Sequence, residues 1–293
     1  MTSSTAPHWL ITGVGSGLGR ALAEAALWRG DHVTGTVRSE AARLAFAQIA
    51  PGRSVGRLLD VTDPAAVRAT IEATEAESGG IDILVNNAGY GLVAGVEEAS
   101  LQEIRAQFDV NLFGAIAVMQ SVLPFMRARR RGRIINVSSV SGLVGWPSLG
   151  IYSASKFALE GVSETLALEA APLGISVTLI EPGGFRTDFA TRSRSESARR
   201  IEDYDATVGA CRRILSEHAG HEPGDPAKAA QAILAVADAP HPPLRLLLGA
   251  DAIDYVNAKA RSQQAGLATW SEVSRSTDFV DPHCGSTDGG PTV

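Results

Sequence analysis

Short apolar runs alternate with longer amphipathic stretches along most of this chain. Trp9–Thr12, Val33–Val37, Val55–Leu59, Ile81–Val85, Arg133–Val137, Ile175–Ile180 and Leu244–Leu248 are rich in Val, Ile and Leu, and turn-forming residues follow them. They predict seven strands. Leu18–Trp28, Glu40–Ile49, Pro64–Glu77, Leu101–Arg129 and about Ser148–Ala171 read as the helices between them. Asp63 as N-cap and Pro64 at the first helical position open the third of these. The strands are apolar throughout rather than strictly alternating, so both faces are expected to be buried. The expected fold is α/β: a doubly wound parallel sheet of about seven strands with helices on both faces, in one domain over residues 1–250.

Two segments break the rhythm. Residues 184–226 are long, charged and weakly periodic, and they follow a strand end, where such sheets bind ligands. They are read as a substrate lid, against the alternative of a solvated surface excursion. Beyond residue 250, Asp251–Trp270 suits a helix within a C-terminal extension, 251–280. The Gly-, Pro-, Thr- and Ser-rich stretch 281–293 reads as a disordered tail.

Composition narrows the function classes. The chain has 293 residues, 45% hydrophobic and 20% charged, with a net charge of −6. That balance disfavours a large cationic nucleic-acid surface. Cys211 and Cys284 are far apart, which makes neither a disulfide scaffold nor a zinc framework and fits a reducing cytoplasm. Met1–His8 lacks a signal-peptide pattern, and no apolar run is read as reaching the ~20 residues that span a bilayer.

Candidate chemistry begins at Thr12-Gly13-Val14-Gly15-Ser16-Gly17-Leu18-Gly19, between the first strand and the first helix. Glycines there allow a sharp turn and close approach of a pyrophosphate, and the helix N-terminus offers N–H donors and positive dipole. This makes the sheet Rossmann-type. The second strand ends in Val37-Arg38-Ser39. An NAD site would place a carboxylate near Val37, whereas Arg38, with a hydroxyl from Ser39, suits the 2′-phosphate of NADP.

These residues resemble the short-chain dehydrogenase/reductase family when joined to Asn86-Asn87-Ala88-Gly89, Asn111, Ser138-Ser139, Tyr152-Ser153-Ala154-Ser155-Lys156 and Glu181-Pro182-Gly183-Gly184-Phe185-Arg186-Thr187. The set runs in order over about residues 8–250. The resemblance implies that Asp60 and Val61 border the adenine. It places Asn86-Asn87-Ala88-Gly89 at the adenosine and ribose, and Lys156 on the nicotinamide ribose. Pro182, Gly183, Phe185 and Thr187 would frame the carboxamide end. It also gives Asn111 a water in a proton relay to Lys156, and it favours Ser139 over Ser138 as the substrate-oxygen donor. Ser16 stands where many NADP-preferring members carry Lys or Arg, which leaves Arg38 as the main anchor. NADP(H) is thus the preferred cofactor, with NAD(H) accommodated.

Tyr152 and Lys156 are four residues apart and share a helix face. An ammonium beside a phenol favours phenolate by ~1–3 pKa units, which would fit Tyr152 as general acid in reduction and general base in oxidation. Ser139 would bond the substrate oxygen as charge develops. Ser141, Leu143, Trp146, Leu149 and Phe189 flank the expected mouth and are read as an apolar substrate pocket. The basic cluster at 127–133 is read as compensation of a helix C-terminus, and His218 and His221 as loop residues rather than metal ligands. The reading is an NADP(H)-dependent oxidoreductase acting on a small carbonyl or alcohol compound with an apolar part. The chain is expected to form a homodimer, or a homotetramer, through its two longest helices. The competing reading is a dinucleotide-binding sensor or scaffold without turnover; such a protein would be expected to lose the Tyr or the Lys.

Overall fold

In β1 (His8–Thr12), Trp9, Leu10 and Ile11 are all fully buried. Successive strand side chains point to opposite faces, so this strand is covered on both sides. Trp9 and Ile11 enter one core cluster, packed by α1 (Gly17–Arg29) and α8 (Pro226–Asp238); Leu10 enters a second, with α3 (Pro64–Ser78) and α5 (Ala115–Arg129). The computed structural model describes residues 6–187 and 193–279. The pocket residue Phe189 and the tail 281–293 lie outside the described residues.

The remaining strands of the main sheet are β2 (His32–Val37), β3 (Ser54–Leu58), β4 (Ile83–Asn86), β6 (Gly132–Val137), β7 (Ile175–Pro182) and β9 (Arg245–Leu248). All seven run parallel, in the order β3-β2-β1-β4-β6-β7-β9. The order reverses between β1 and β4, so a crevice opens at the carboxyl ends of those strands. A parallel pair, β5 (Gly91–Val93) with β8 (Arg194–Glu196), lies apart from the sheet. The other helices are α2 (Glu40–Ala47), α4 (Leu101–Phe108), α6 (Gly150–Ala170), α7 (Ala210–Glu217) and α9 (Ala250–Arg275).

The seven expected strands all form, with small shifts at their ends. The expected single helix Leu101–Arg129 is interrupted by a π-helical turn, Asp109–Gly114, that joins α4 to α5. This helical run is, by length and composition alone, apolar enough to cross a bilayer, with a window of mean hydropathy 1.4. That corrects the sequence reading that no stretch qualifies. Here Val118, Met119, Val122 and Met126 bury the apolar side in the core. The basic cluster does sit at the end of α5, where Arg129 pairs with Glu75 and Arg131 with Asp82. Helix α8 was not anticipated, although Asp225 caps it ahead of Pro226 just as Asp63 caps α3 ahead of Pro64.

Candidate active site

The glycine loop leaves β1 and enters α1 in the crevice. Gly17 has φ +60°, a conformation L side chains rarely adopt, and a Cβ on Gly19 would lie 2.2 Å from Asn87 Nδ2. Ser16 is the N-cap of α1, but its side chain makes no capping bond, and no acidic residue stands in the first turn. The helix therefore presents its N-terminal N–H groups and dipole to the crevice without a competing anion. These features fit a dinucleotide phosphate.

Thr12 and Asn87 shape this cradle from behind. Thr12 Oγ1 accepts from the N–H groups of Asn87 and Ala88, both at 3.0 Å, and Asn87 Nδ2 donates to the carbonyls of Thr12 and Gly13. Asn86 turns away: its amide donates to Asn136 Oδ1 at 2.9 Å, inside the sheet. Gly15 lies over buried Val37. Arg38 is exposed and has no hydrogen bond or ion pair among the described residues. Ser39 Oγ is occupied in capping α2, accepting from Ala42 N. Asp60 accepts from both the N–H and the hydroxyl of Thr62; these bonds, helped by the Arg38 charge, hold its carboxyl below the usual range against partial burial. Val61 packs against Gly114 in the π-turn. Thr187 closes the far side, 3.5 Å from where a Cβ on Gly17 would be. The Pro182-Gly183-Gly184-Phe185 loop is held by Asp251 at the start of α9, which accepts from Gly184 N at 2.8 Å.

Four candidate catalytic residues converge at the ends of β4 and β6. Tyr152 is buried on α6 and hydrogen-bonded with Ser139. Ser139 Oγ also accepts from Ser141 N at 3.1 Å, capping the 3₁₀ turn Val140–Gly142. Ser138 instead points into the protein, its hydroxyl buried without a hydrogen bond. Lys156, one turn after Tyr152, donates to the Val137 carbonyl at 2.8 Å, with its ammonium 5.9 Å from the Tyr152 ring centre. Asn111 sits in the π-turn, donating to Tyr90 O at 2.9 Å and Ser155 Oγ at 3.2 Å and accepting from Tyr90 N. Its amide thus satisfies the backbone beside the kink. A Cβ on Gly89 would meet both Asn111 Oδ1 and Lys156 Nζ, at 3.1 and 3.7 Å, so both border the Gly89 backbone.

Burial dominates the electrostatics. It pushes the Tyr152 phenol up to about 12, with the Ser139 hydrogen bond opposing. It pulls the Lys156 ammonium down to about 8, with Glu160 opposing. Burial thus opposes the lowering expected from Lys156, whose ammonium is directed at the Val137 carbonyl.

Leu149 and Tyr152 pack with Val93, and Trp146 and Leu215 lie against them. Trp146 meets Tyr255 of α9 edge-to-face, ring centres 4.5 Å apart. Ser141 is buried, and Leu143 is half-buried. Leu215 and Tyr255 were missed from sequence: α7 and α9 are largely polar, and only the fold brings these two side chains here. The segment carrying Leu215 is anchored by buried Glu98. This carboxylate accepts from Gly95 N, Ile201 N and Arg212 Nη2, at 2.9, 3.0 and 2.7 Å. Burial opposes its ionisation, but these donors together hold it below the usual carboxylate range.

Residues 7–198 match the family model described as short chain dehydrogenase. The chain is 40% identical over 267 residues to an oxidoreductase, BOA17, of Botryotinia fuckeliana, covering 91% of this chain and 97% of the relative. It is 38% identical over 259 residues to a 3-ketodihydrosphingosine reductase of Bacteroides thetaiotaomicron, covering 86% and 91%. A short-chain dehydrogenase from Streptomyces avermitilis superposes with a TM-score of 0.89 at 41% identity, covering 94% of this chain and 100% of that one. Two more distant structures carry cofactor. ElxO with NADP bound has a TM-score of 0.71 at 25% identity, covering 85% and 100%. A Burkholderia phymatum enzyme in complex with NAD has 0.73 at 26%, covering 97% and 100%.

Proposed function

The chain belongs to the short-chain dehydrogenase/reductase family, and from that premise we propose that it is an NADP(H)-dependent carbonyl reductase and alcohol dehydrogenase. It interconverts a ketone or aldehyde with the corresponding secondary or primary alcohol. The observation that carries this reading is the hydrogen-bonded Ser139–Tyr152 pair with the Lys156 ammonium beside the ring. A substrate oxygen placed between the two hydroxyls is bonded by Ser139 and receives its proton from Tyr152 in reduction. Lys156 stabilises the phenolate that results. The glycine loop and the Pro182-Gly183-Gly184-Phe185 loop would hold a nicotinamide dinucleotide, whose chemistry there would be to supply or accept the hydride. Leu149, Trp146 and Leu215 favour a substrate with an apolar part, and the segment expected as a lid, 184–226, carries Leu215 to it. NADPH consumption with a panel of aryl and aliphatic ketones tests the assignment; a panel on which the protein consumes no NADPH at any concentration argues against it.

Cofactor choice rests on Arg38. A 2′-phosphate at the end of β2 meets an exposed guanidinium and no carboxylate at Val37. Charge-assisted hydrogen bonds of this kind contribute about 1.5–3 kcal/mol, roughly 10- to 100-fold in affinity. Arg38→Ala is expected to raise KM for NADPH by that factor and leave KM for NADH nearly unchanged. Val37→Asp is expected to move preference toward NADH. Equal losses with both cofactors in Arg38→Ala contradict the assignment.

The chain is proposed to be a homodimer. Leu101, Phe113, Phe157 and Leu168 stand exposed on α4, the π-turn and α6, the helices expected to pair. Light scattering at micromolar concentration is expected to give twice the chain mass; the mass of one chain rules the dimer out.

A further inference from the structure

Behind Lys156 lies a group of charges that the proposed chemistry does not use. Glu160, one turn further along α6, is 4% exposed, and Glu181, at the end of β7, is 1% exposed. Arg245 on β9 reaches both: its Nε lies 3.0 Å from Glu160 Oε2 and 3.4 Å from Glu181 Oε1. It is shared with a third carboxylate, since Nη2 lies 2.5 Å from Glu164 Oε2. Among the described residues, both oxygens of Glu181, Oε1 of Glu160 and the Ser138 hydroxyl are buried without a hydrogen bond. Two of these atoms border Gly142, where a Cβ would lie 2.6 Å from Ser138 Oγ and 3.2 Å from Glu160 Oε1.

One guanidinium, itself about one-third exposed, does not balance three carboxylates of which two are buried. Buried carboxylates so placed oppose each other's ionisation, and orphaned acceptors on both call for a donor between them. We infer that Glu160 and Glu181 hold one proton between them, and that this pair, braced by Arg245, is a positioning element. It locks the helix that carries Lys156 to the strand end that leads into the Pro182-Gly183 loop. Burial, and next the Glu160 charge, push Glu181 up to about 8, with Arg245 opposing.

The charged groups around the pair are few. Lys156 and Glu164 flank Glu160 on α6, Arg245 faces it from β9, and Asp251 of α9 holds the loop just beyond Glu181. Loss of the shared proton leaves two buried negative charges facing one another across α6 and β7. Their repulsion loosens the seat of Lys156. Two protons are then lost on the alkaline side, one from the pair and one from Lys156. The catalytic half of this inference rests on the role proposed for Lys156; the shared proton does not.

Three measurements test it, with Glu181→Gln as the variant. The unfolded carboxyl ionises near its ordinary value while the folded one keeps its proton, so the wild type loses stability as pH rises from about 4.5 to about 8. The wild-type Tm minus that of Glu181→Gln is therefore expected to fall by roughly 5 °C between pH 5.5 and 8.5. In wild type, kcat/KM is expected to fall toward a hundredfold per pH unit on the alkaline side, against tenfold in Glu181→Gln. Carbon-13 spectra of wild-type protein labelled at the glutamate carboxyl carbon are expected to show one carboxyl titrating above pH 7, whether or not the variant folds. If every glutamate titrates below pH 6, or the Tm difference is flat with pH, the shared proton is overturned. A tenfold alkaline fall in both proteins overturns the positioning role.

Discussion

Tyr152→Phe is expected to bind NADPH with near wild-type affinity and to lose turnover by roughly 10²–10⁴-fold. The substitution removes only the hydroxyl. The ring continues to pack with Val93 and Leu149 under Trp146 and Leu215. What disappears is the proton that Ser139 helps to place. With the phenol pushed up to about 12, Tyr152 stays protonated at neutral pH, which suits it to donate in reduction. Fluorescence titration with NADPH and steady-state kcat, measured on the same preparation, separate binding from chemistry. A variant that keeps a tenth of wild-type kcat contradicts the acid–base role.

Lys156→Met is expected to lower kcat by roughly 10²-fold or more, the scale of a lost charge partner at a reacting group. It is also expected to hold or raise Tm at pH 7. Burial pulls the folded pKa of Lys156 down to about 8 from an ordinary 10.5. The cost of burying the ammonium is therefore fully present below pH 8 and is relieved as pH rises toward 10.5. Methionine has similar reach and no charge to desolvate. Stability and activity should thus move apart, as at sites that give up stability for function. The wild-type decline above about pH 8, where the ammonium is lost, should also become shallower in the variant. A lower Tm with wild-type kcat makes Lys156 a structural lysine instead.

The main sheet was legible because burial on both faces makes its strands continuous apolar runs, as in Trp9-Leu10-Ile11. The Tyr152–Lys156 pair was legible from the helical period, and the glycine loop from its place between strand and helix. The π-turn at Asn111 was not, because Val110 and Leu112 continue the apolar pattern of the surrounding helix. Helix α8 carried the same Asp-Pro start as α3 and was overlooked beside a charged stretch with weak periodicity. Residues with purely tertiary roles gave no local signal. Glu98, Glu160 and Arg245 carry no local mark of their partners, and only the packing of α7, α6 and β9 brings these together.

Hydride transfer is tested most directly by the fate of a deuterium label. NADPH carrying deuterium at the transferable C4 position is incubated with the protein and the most active ketone, and the alcohol is analysed by mass spectrometry. One deuterium at the carbinol carbon is the expected result, and it should be absent when Tyr152→Phe is used for the same time. Alcohol formed without deuterium from either face-labelled cofactor, or no alcohol from any ketone of the panel, would contradict the assignment.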